Sequence, residues 1–183
     1  MKTRFIAVFA FFIGLAVTSC INPDETMEAI FQRDLEAIQK YLDENQITSV
    51  KKYEEPLEGV YIYWQESVSE DLNSIKRGDT VRVDYTGKLL TNVIFDTSKE
   101  QVARDNGIYA AGRLYQPLRY PLGLGFTISG FEFAISLMRP GEKATVIFPS
   151  RLGYGSQSEN GIPANSPLIF EIDLLGITPG PNQ

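Results

Sequence analysis

The stretch "GFEFAISLMRPGEKATVIFPSRLGYG", residues 130–155, decides the fold. Its first half has helical spacing. Phe131, Ala134, Ile135 and Met138 share one face, and Pro140-Gly141 follows as a stop. Its second half has period two: Ala144, Val146 and Phe148 alternate with Lys143, Thr145 and Ile147. The change of period predicts a short helix that leads into a half-buried strand. The closing "LGYG" sets Tyr154 between two glycines, outside a regular strand. Aromatic rings in such loops line concave apolar sites as well as fill cores.

Period two recurs on both sides. "GVYIYW" (59–64) reads as a first strand. Val81, Val83 and Tyr85 alternate with Arg82, Asp84 and Thr86; Leu168, Phe170, Ile172 and Leu174 alternate with Ile169, Glu171, Asp173 and Leu175. Such alternation suits antiparallel strands with one buried face. The prediction is an α+β domain over residues 59–178, with a five- to six-stranded curved antiparallel sheet wrapped around one short helix. Residues 98–116 show no strand pattern and read as a long loop or flap.

Ahead of this domain, residues 47–58 are polar, carry Pro56, and read as a linker. Residues 24–46 read as an amphipathic helical arm. Met27, Ile30, Phe31, Leu35, Ile38 and Leu42 form one stripe, Asn22 is a cap, and Pro23 fits the first helical position. Two readings of the stripe stand: it packs on the domain's own surface, or it is an arm for a homodimer. Residues 1–19 read as a signal peptide, with Lys2 and Arg4 before the apolar run from Phe5 to Val17. "VTSC" then resembles the lipobox of bacterial lipoproteins, which makes Cys20 the lipid attachment site and residues 20–23 a tether. Cys20 is the only cysteine, so no intramolecular disulfide forms. The expectation is a chain lipid-anchored in the bacterial cell envelope, facing the periplasm or the cell surface. Without an aspartate after Cys20, the outer membrane is expected over the inner.

Composition removes several chemistries. The chain has 183 residues, net charge −6 and no histidine. Without residues 1–19 the net charge is −8, with 15 basic and 23 acidic residues. An acidic body argues against nucleic acid as a partner. Without histidine there is no Ser-His or Cys-His pair and no zinc site of His and Cys, and no metal or cofactor is expected. Neither a P-loop nor GxSxG nor GxGxxG is present.

The ordered set "RGDTVRVDYTGKLL", "FDTS", "GFTISGFEFAISLMRPGEKATVIFPSRLGYG" and "GIPANSPLIFEIDLL" resembles FKBP-type peptidyl-prolyl cis-trans isomerases, from about Lys76 to Ile177. The resemblance implies a five-stranded antiparallel sheet around a short helix, and an apolar pocket for an Xaa-Pro segment. By motif it assigns Tyr85, Phe95, Asp96 and Tyr154 to catalysis. Leu118, Thr127, Ile128, Phe131, Ile162 and Phe170 become the substrate-binding set, with Phe131 as the floor. Phe131 stands where many relatives carry tryptophan, and Leu118 where the family often has another aromatic. The partners implied are proline-containing segments of exported proteins. The alternatives are an FKBP-like binding or chaperone module with little turnover, and an assembly lipoprotein working through its helical arm.

Overall fold

The computed structural model describes residues 26–72 and 75–181. The signal peptide, Cys20 and the helix cap read at Asn22-Pro23 lie outside the described residues. Among the described residues, no helix is long and apolar enough to cross a membrane.

Among the described residues the α-helices and strands follow in order: α1 (Met27–Glu44), β1 (Lys51–Glu55), β2 (Val60–Glu66), β3 (Thr80–Leu89), β4 (Ile94–Thr97), α2 (Glu100–Asp105), β5 (Leu118–Pro121), α3 (Ser129–Ser136), β6 (Lys143–Phe148) and β7 (Leu168–Thr178), with a short 3-10 helix at Ser150–Leu152. The seven strands form one antiparallel sheet in the order β1-β2-β6-β7-β3-β4. β5 also pairs with β3. It lies along residues 80–83, while β4 lies along residues 86–88. The two short strands therefore share one edge of β3, and the chain makes its excursion over residues 98–117 between them.

α3 supplies the centre of the core. Phe131, Ala134, Ile135 and Met138 are buried with Trp64, Val83, Val146, Phe148 and Phe170, all from one face of the sheet. α3 stops at Ser136, short of the Pro140-Gly141 stop. The ring of a proline clashes with the carbonyl four residues earlier, which here is Ser136. That carbonyl instead accepts the N–H of Ile75 at 3.2 Å. Gly141, at φ 88°, then turns the chain into β6.

α1 runs as the stripe predicts, but its cap is Thr26, whose Oγ1 accepts the N–H of Ala29 at 3.1 Å. Ile38, with Tyr41 and Leu42 beside it, packs on Tyr61, Ile147 and Ile169. These three residues neighbour one another across β2, β6 and β7, on the face opposite α3. They are the residues that break the polar side of the strand alternation, and α1 covers them. The helix is further tied by Asp34, whose Oδ2 accepts both the N–H (2.8 Å) and the hydroxyl (2.5 Å) of Ser150. The stripe is thus used within the chain.

Three expectations need correction. The sheet has seven strands, not five or six. Residues 47–58 are not only a linker, because they contain β1, an edge strand whose Lys51 is buried. The loop read over 98–116 contains α2. β1 was hidden because its residues, Lys-Lys-Tyr-Glu-Glu, are polar. What stabilises it is distant in sequence: Lys51 Nζ reaches Glu142 Oε1, 91 residues on, at 3.0 Å, and the Ser69 carbonyl, 18 residues on, at 2.9 Å. The ammonium also lies 4.4 Å from the centroid of the Trp64 ring.

Glu142 is fully buried and well supplied with donors. Trp64 Nε1 (2.9 Å), Ser67 Oγ (2.7 Å), the Arg139 N–H (2.9 Å) and Lys51 all reach its oxygens. Burial alone would raise its pKa, but the donors from Ser67, Arg139 and Lys51 outweigh it and hold the carboxyl below its ordinary 4.5. A lowered folded-state pKa stabilises the protein above the unfolded value, and that contribution is lost as pH falls through the folded one. Urea denaturation should therefore show stability declining once pH drops below about 4.5, an acid-side loss that Glu142→Gln blunts. At neutral pH, Glu142→Ala should cost about 3–5 kcal/mol, since it strands Lys51 and the indole N–H. A loss under about 1 kcal/mol would mean that this pair does not hold β1.

Candidate active site

The inner face of the sheet, the segment leading into α3 and the loop that carries Tyr154 line a cavity of about 310 Å³, a size that suits a few side chains of a peptide. Eight of the ten residues expected at the site line it: Tyr85 from β3, Asp96 from β4, Leu118 from β5, Thr127 and Ile128 before α3, Phe131 from α3, Tyr154, and Phe170 from β7. Phe95 and Ile162 do not. Phe95 meets the Phe170 ring edge-on at 5.7 Å and supports the wall. Ile162 is buried in the main core, in a bridge with Glu159.

The floor is aromatic. Phe131 meets Phe170 at 5.1 Å and Tyr85 at 5.7 Å between centroids, both edge-on. Period two puts Tyr85 on the inner face of β3, and the antiparallel register sets it opposite Ile172 of β7. The close approach of Phe95 and Phe170 depends on Gly87. A Cβ there would stand 2.6 Å from Phe95 Cζ and 2.8 Å from Phe170 Cε1.

One wall is polar and anchored. Tyr85 Oη donates to Asp96 Oδ2 at 2.6 Å, and the Thr97 N–H reaches Asp96 Oδ1 at 2.9 Å. Arg113 Nη1 pairs with the same Oδ1 at 2.5 Å, and its Nη2 reaches the Thr97 carbonyl at 3.0 Å. Burial, then the bond to Asp96, pushes the Tyr85 phenol far above its usual range, only partly offset by Arg113. Tyr154 is also shifted upward, by burial and then by the negative charges of Asp96 and Glu159. Both phenols therefore stay protonated at neutral pH. Two donors remain unused: neither the Tyr154 hydroxyl nor the Ile128 N–H has a hydrogen-bond partner among the described residues. The Ile128 carbonyl, by contrast, accepts from Phe131 and Glu132 at 3.1 Å each and starts α3.

Sequence reasoning missed two residues of the site. Phe126 lines the cavity yet is 65% exposed, at its rim. The "GLGF" run, which places an aromatic beside two loop glycines, was its available signal. Arg113 carried no signal, because an arginine in a stretch without periodicity reads as a solvated charge. Among the described residues, no group of three or more His, Cys, Asp or Glu side chains is placed to hold a metal ion.

The profile of the FKBP-type peptidyl-prolyl cis-trans isomerases matches residues 72–175, a span that includes all of this cavity. The chain belongs to that family. It is 46% identical over 88 residues to a short-type peptidyl-prolyl cis-trans isomerase of Methanocaldococcus jannaschii, covering 48% of this chain and 55% of that one. To FK506-binding protein 2 of Yarrowia lipolytica it is 38% identical over 112 residues, 61% of this chain and 69% of the other. Against the first of these, the match spans just over half of the relative's length. Among solved structures it is similar to FkpA from Escherichia coli, with TM-score 0.57 and 25% identity over 82% of this chain and 60% of that one.

The close approach at Gly87 is testable. Gly87→Ala should push Phe95 and Phe170 apart, destabilise the fold by about 1–3 kcal/mol, and weaken peptide binding in the cavity. An unchanged urea midpoint together with unchanged peptide affinity would show that the rings do not depend on this glycine.

Proposed function

We propose that the protein accelerates cis-trans isomerisation of Xaa-Pro bonds in exported proteins, in the cavity floored by Phe131 and Phe170. The observation that carries this reading is the division of labour around the cavity. Asp96 is held by three donors, while Tyr154 and the Ile128 N–H are left free beside an apolar floor.

The chemistry fits a site without histidine. Rotation about the amide faces a barrier of about 18–20 kcal/mol, and no bond has to break. In the twisted transition state the amide loses resonance, so its carbonyl is less polarised than in the planar form. A dry aromatic pocket favours the twisted form, and only such differential binding raises the rate. The Tyr154 hydroxyl and the Ile128 N–H hold carbonyls of the peptide on either side of the rotating bond. Asp96, fixed by Tyr85 and Arg113, is an orienting dipole at the wall and not a base. Leu118, an aliphatic side chain at the mouth, supports the second reading, a binding module with little turnover.

The envelope setting belongs to the same proposal. It is supported by the apolar run from Phe5 to Val17 followed by "VTSC", which provides a lipidated Cys20. Exported chains meet slow X-Pro isomerisation as they fold, on a scale of about 10–100 s.

The test follows cis-to-trans relaxation of a short Xaa-Pro peptide. Wild type should accelerate it. Tyr154→Phe should lower kcat/KM by a few-fold to about tenfold, the effect of one hydrogen bond. Asp96→Ala should lower it by about tenfold or more, since Tyr85 and Arg113 both lose their anchor. Saturable peptide binding without acceleration would instead establish the binding module, and full activity in Asp96→Ala would remove Asp96 from the mechanism.

A further inference from the structure

A second cavity, of about 480 Å³, adjoins the first and shares Tyr85 and Leu118 with it. Its wall carries three arginines, Arg82, Arg113 and Arg119, in a chain whose net charge is −6. Arg113 is committed to Asp96. The other two are not committed. Arg82 of β3 and Arg119 of β5 are direct cross-strand partners, both are exposed, and neither has a hydrogen-bond or ion-pair partner among the described residues. Arg82 and Asp84 are two residues apart and so lie on one face of β3. Asp84 accepts the hydroxyl of Ser98, a lining residue of this cavity, at 2.6 Å and is not paired with either arginine.

Like charges set directly opposite each other weaken an antiparallel pair. Here Arg82 and Arg119 stand opposite each other across the strand pair with no acid paired to either, and both line a cavity that shares Tyr85 and Leu118 with the first. From the geometry we infer that this cavity is a specificity subsite, which takes an Asp or Glu side chain of the client segment close to its proline. Guanidinium is the group best suited to a carboxylate, through paired N–H donors in a planar fork. The shared side chains Tyr85 and Leu118 form the passage. At about 3.3–3.6 Å per residue, an extended chain leaving the proline pocket over either of them reaches the second cavity within roughly two or three residues. Arg113 then serves both cavities: it fixes Asp96 on one side and adds positive potential on the other.

This inference rests on the isomerase reading, and the experiment separates the two. Peptides with one Xaa-Pro bond are compared with glutamate, alanine or lysine at the two positions on each side. Each is measured for relaxation rate and, by fluorescence anisotropy, for affinity, in about 20 mM and about 500 mM salt. Wild type should favour a glutamate-flanked peptide over its alanine counterpart by about three- to tenfold in low salt, as two exposed ion pairs allow. The preference should shrink in high salt. The variant Arg82→Gln/Arg119→Gln should lose the preference and keep its turnover of the alanine peptide, which also shows that it is folded. Arg82→Glu/Arg119→Glu should favour the lysine-flanked peptide. Equal affinity of wild type for glutamate and alanine peptides, at either flank, overturns the subsite. No acceleration of any peptide by wild type defeats the isomerase reading instead, and the affinities then still decide the subsite.

Discussion

The ring of Phe170 is the point on which the rest of the structure turns. It sits on β7 with β6 on one side and β3 on the other. Its ring meets those of Tyr85, Phe95, Phe131 and Phe148, from four separate elements. The stack with Phe148 leads into the core and the edge contact with Phe131 leads into the cavity. Core and site are therefore one packed body. A ring held on several sides has little freedom left to lose, so a ligand entering the cavity would spend less binding free energy on ordering it.

Two carboxylates show how environment divides one chemistry into two roles. Glu142 is sealed from solvent and surrounded by donors from β1, β2 and the turn after α3, so it fastens the edge of the sheet. Asp96 has fewer donors, and its side chain is 34% accessible at the cavity wall. The first is structural because nothing else reaches it. The second keeps a face toward whatever enters.

Much of this was legible in the chain. Four of the strands and the change from helical to period-two spacing between Met138 and Lys143 mark the sheet and α3. Eight lining residues follow from the family resemblance, carried across motif by motif. What stayed hidden depends on partners far away in sequence. β1 looks like linker until Glu142 is brought to Lys51, and Arg113 looks like surface until β4 and β5 close the excursion around it. Phe95 and Ile162 stand behind the cavity and do not line it. An apolar residue in a site motif can support the wall from behind, and sequence does not separate lining from backing.

The seat of α1 imposes an order of assembly. Its platform of Tyr61, Ile147 and Ile169 comes from three strands, the last of them near the far end of the chain. A ribosome delivers Ile38 more than a hundred residues before Ile169. Until β7 pairs with β6, the helix has nowhere to bury its stripe, and isolated helices of such length are marginal in water. Pairings this distant are slow to form. A nascent molecule therefore carries residues 27–44 without their platform for most of its synthesis, and the helix is secured only when the sheet closes beneath it.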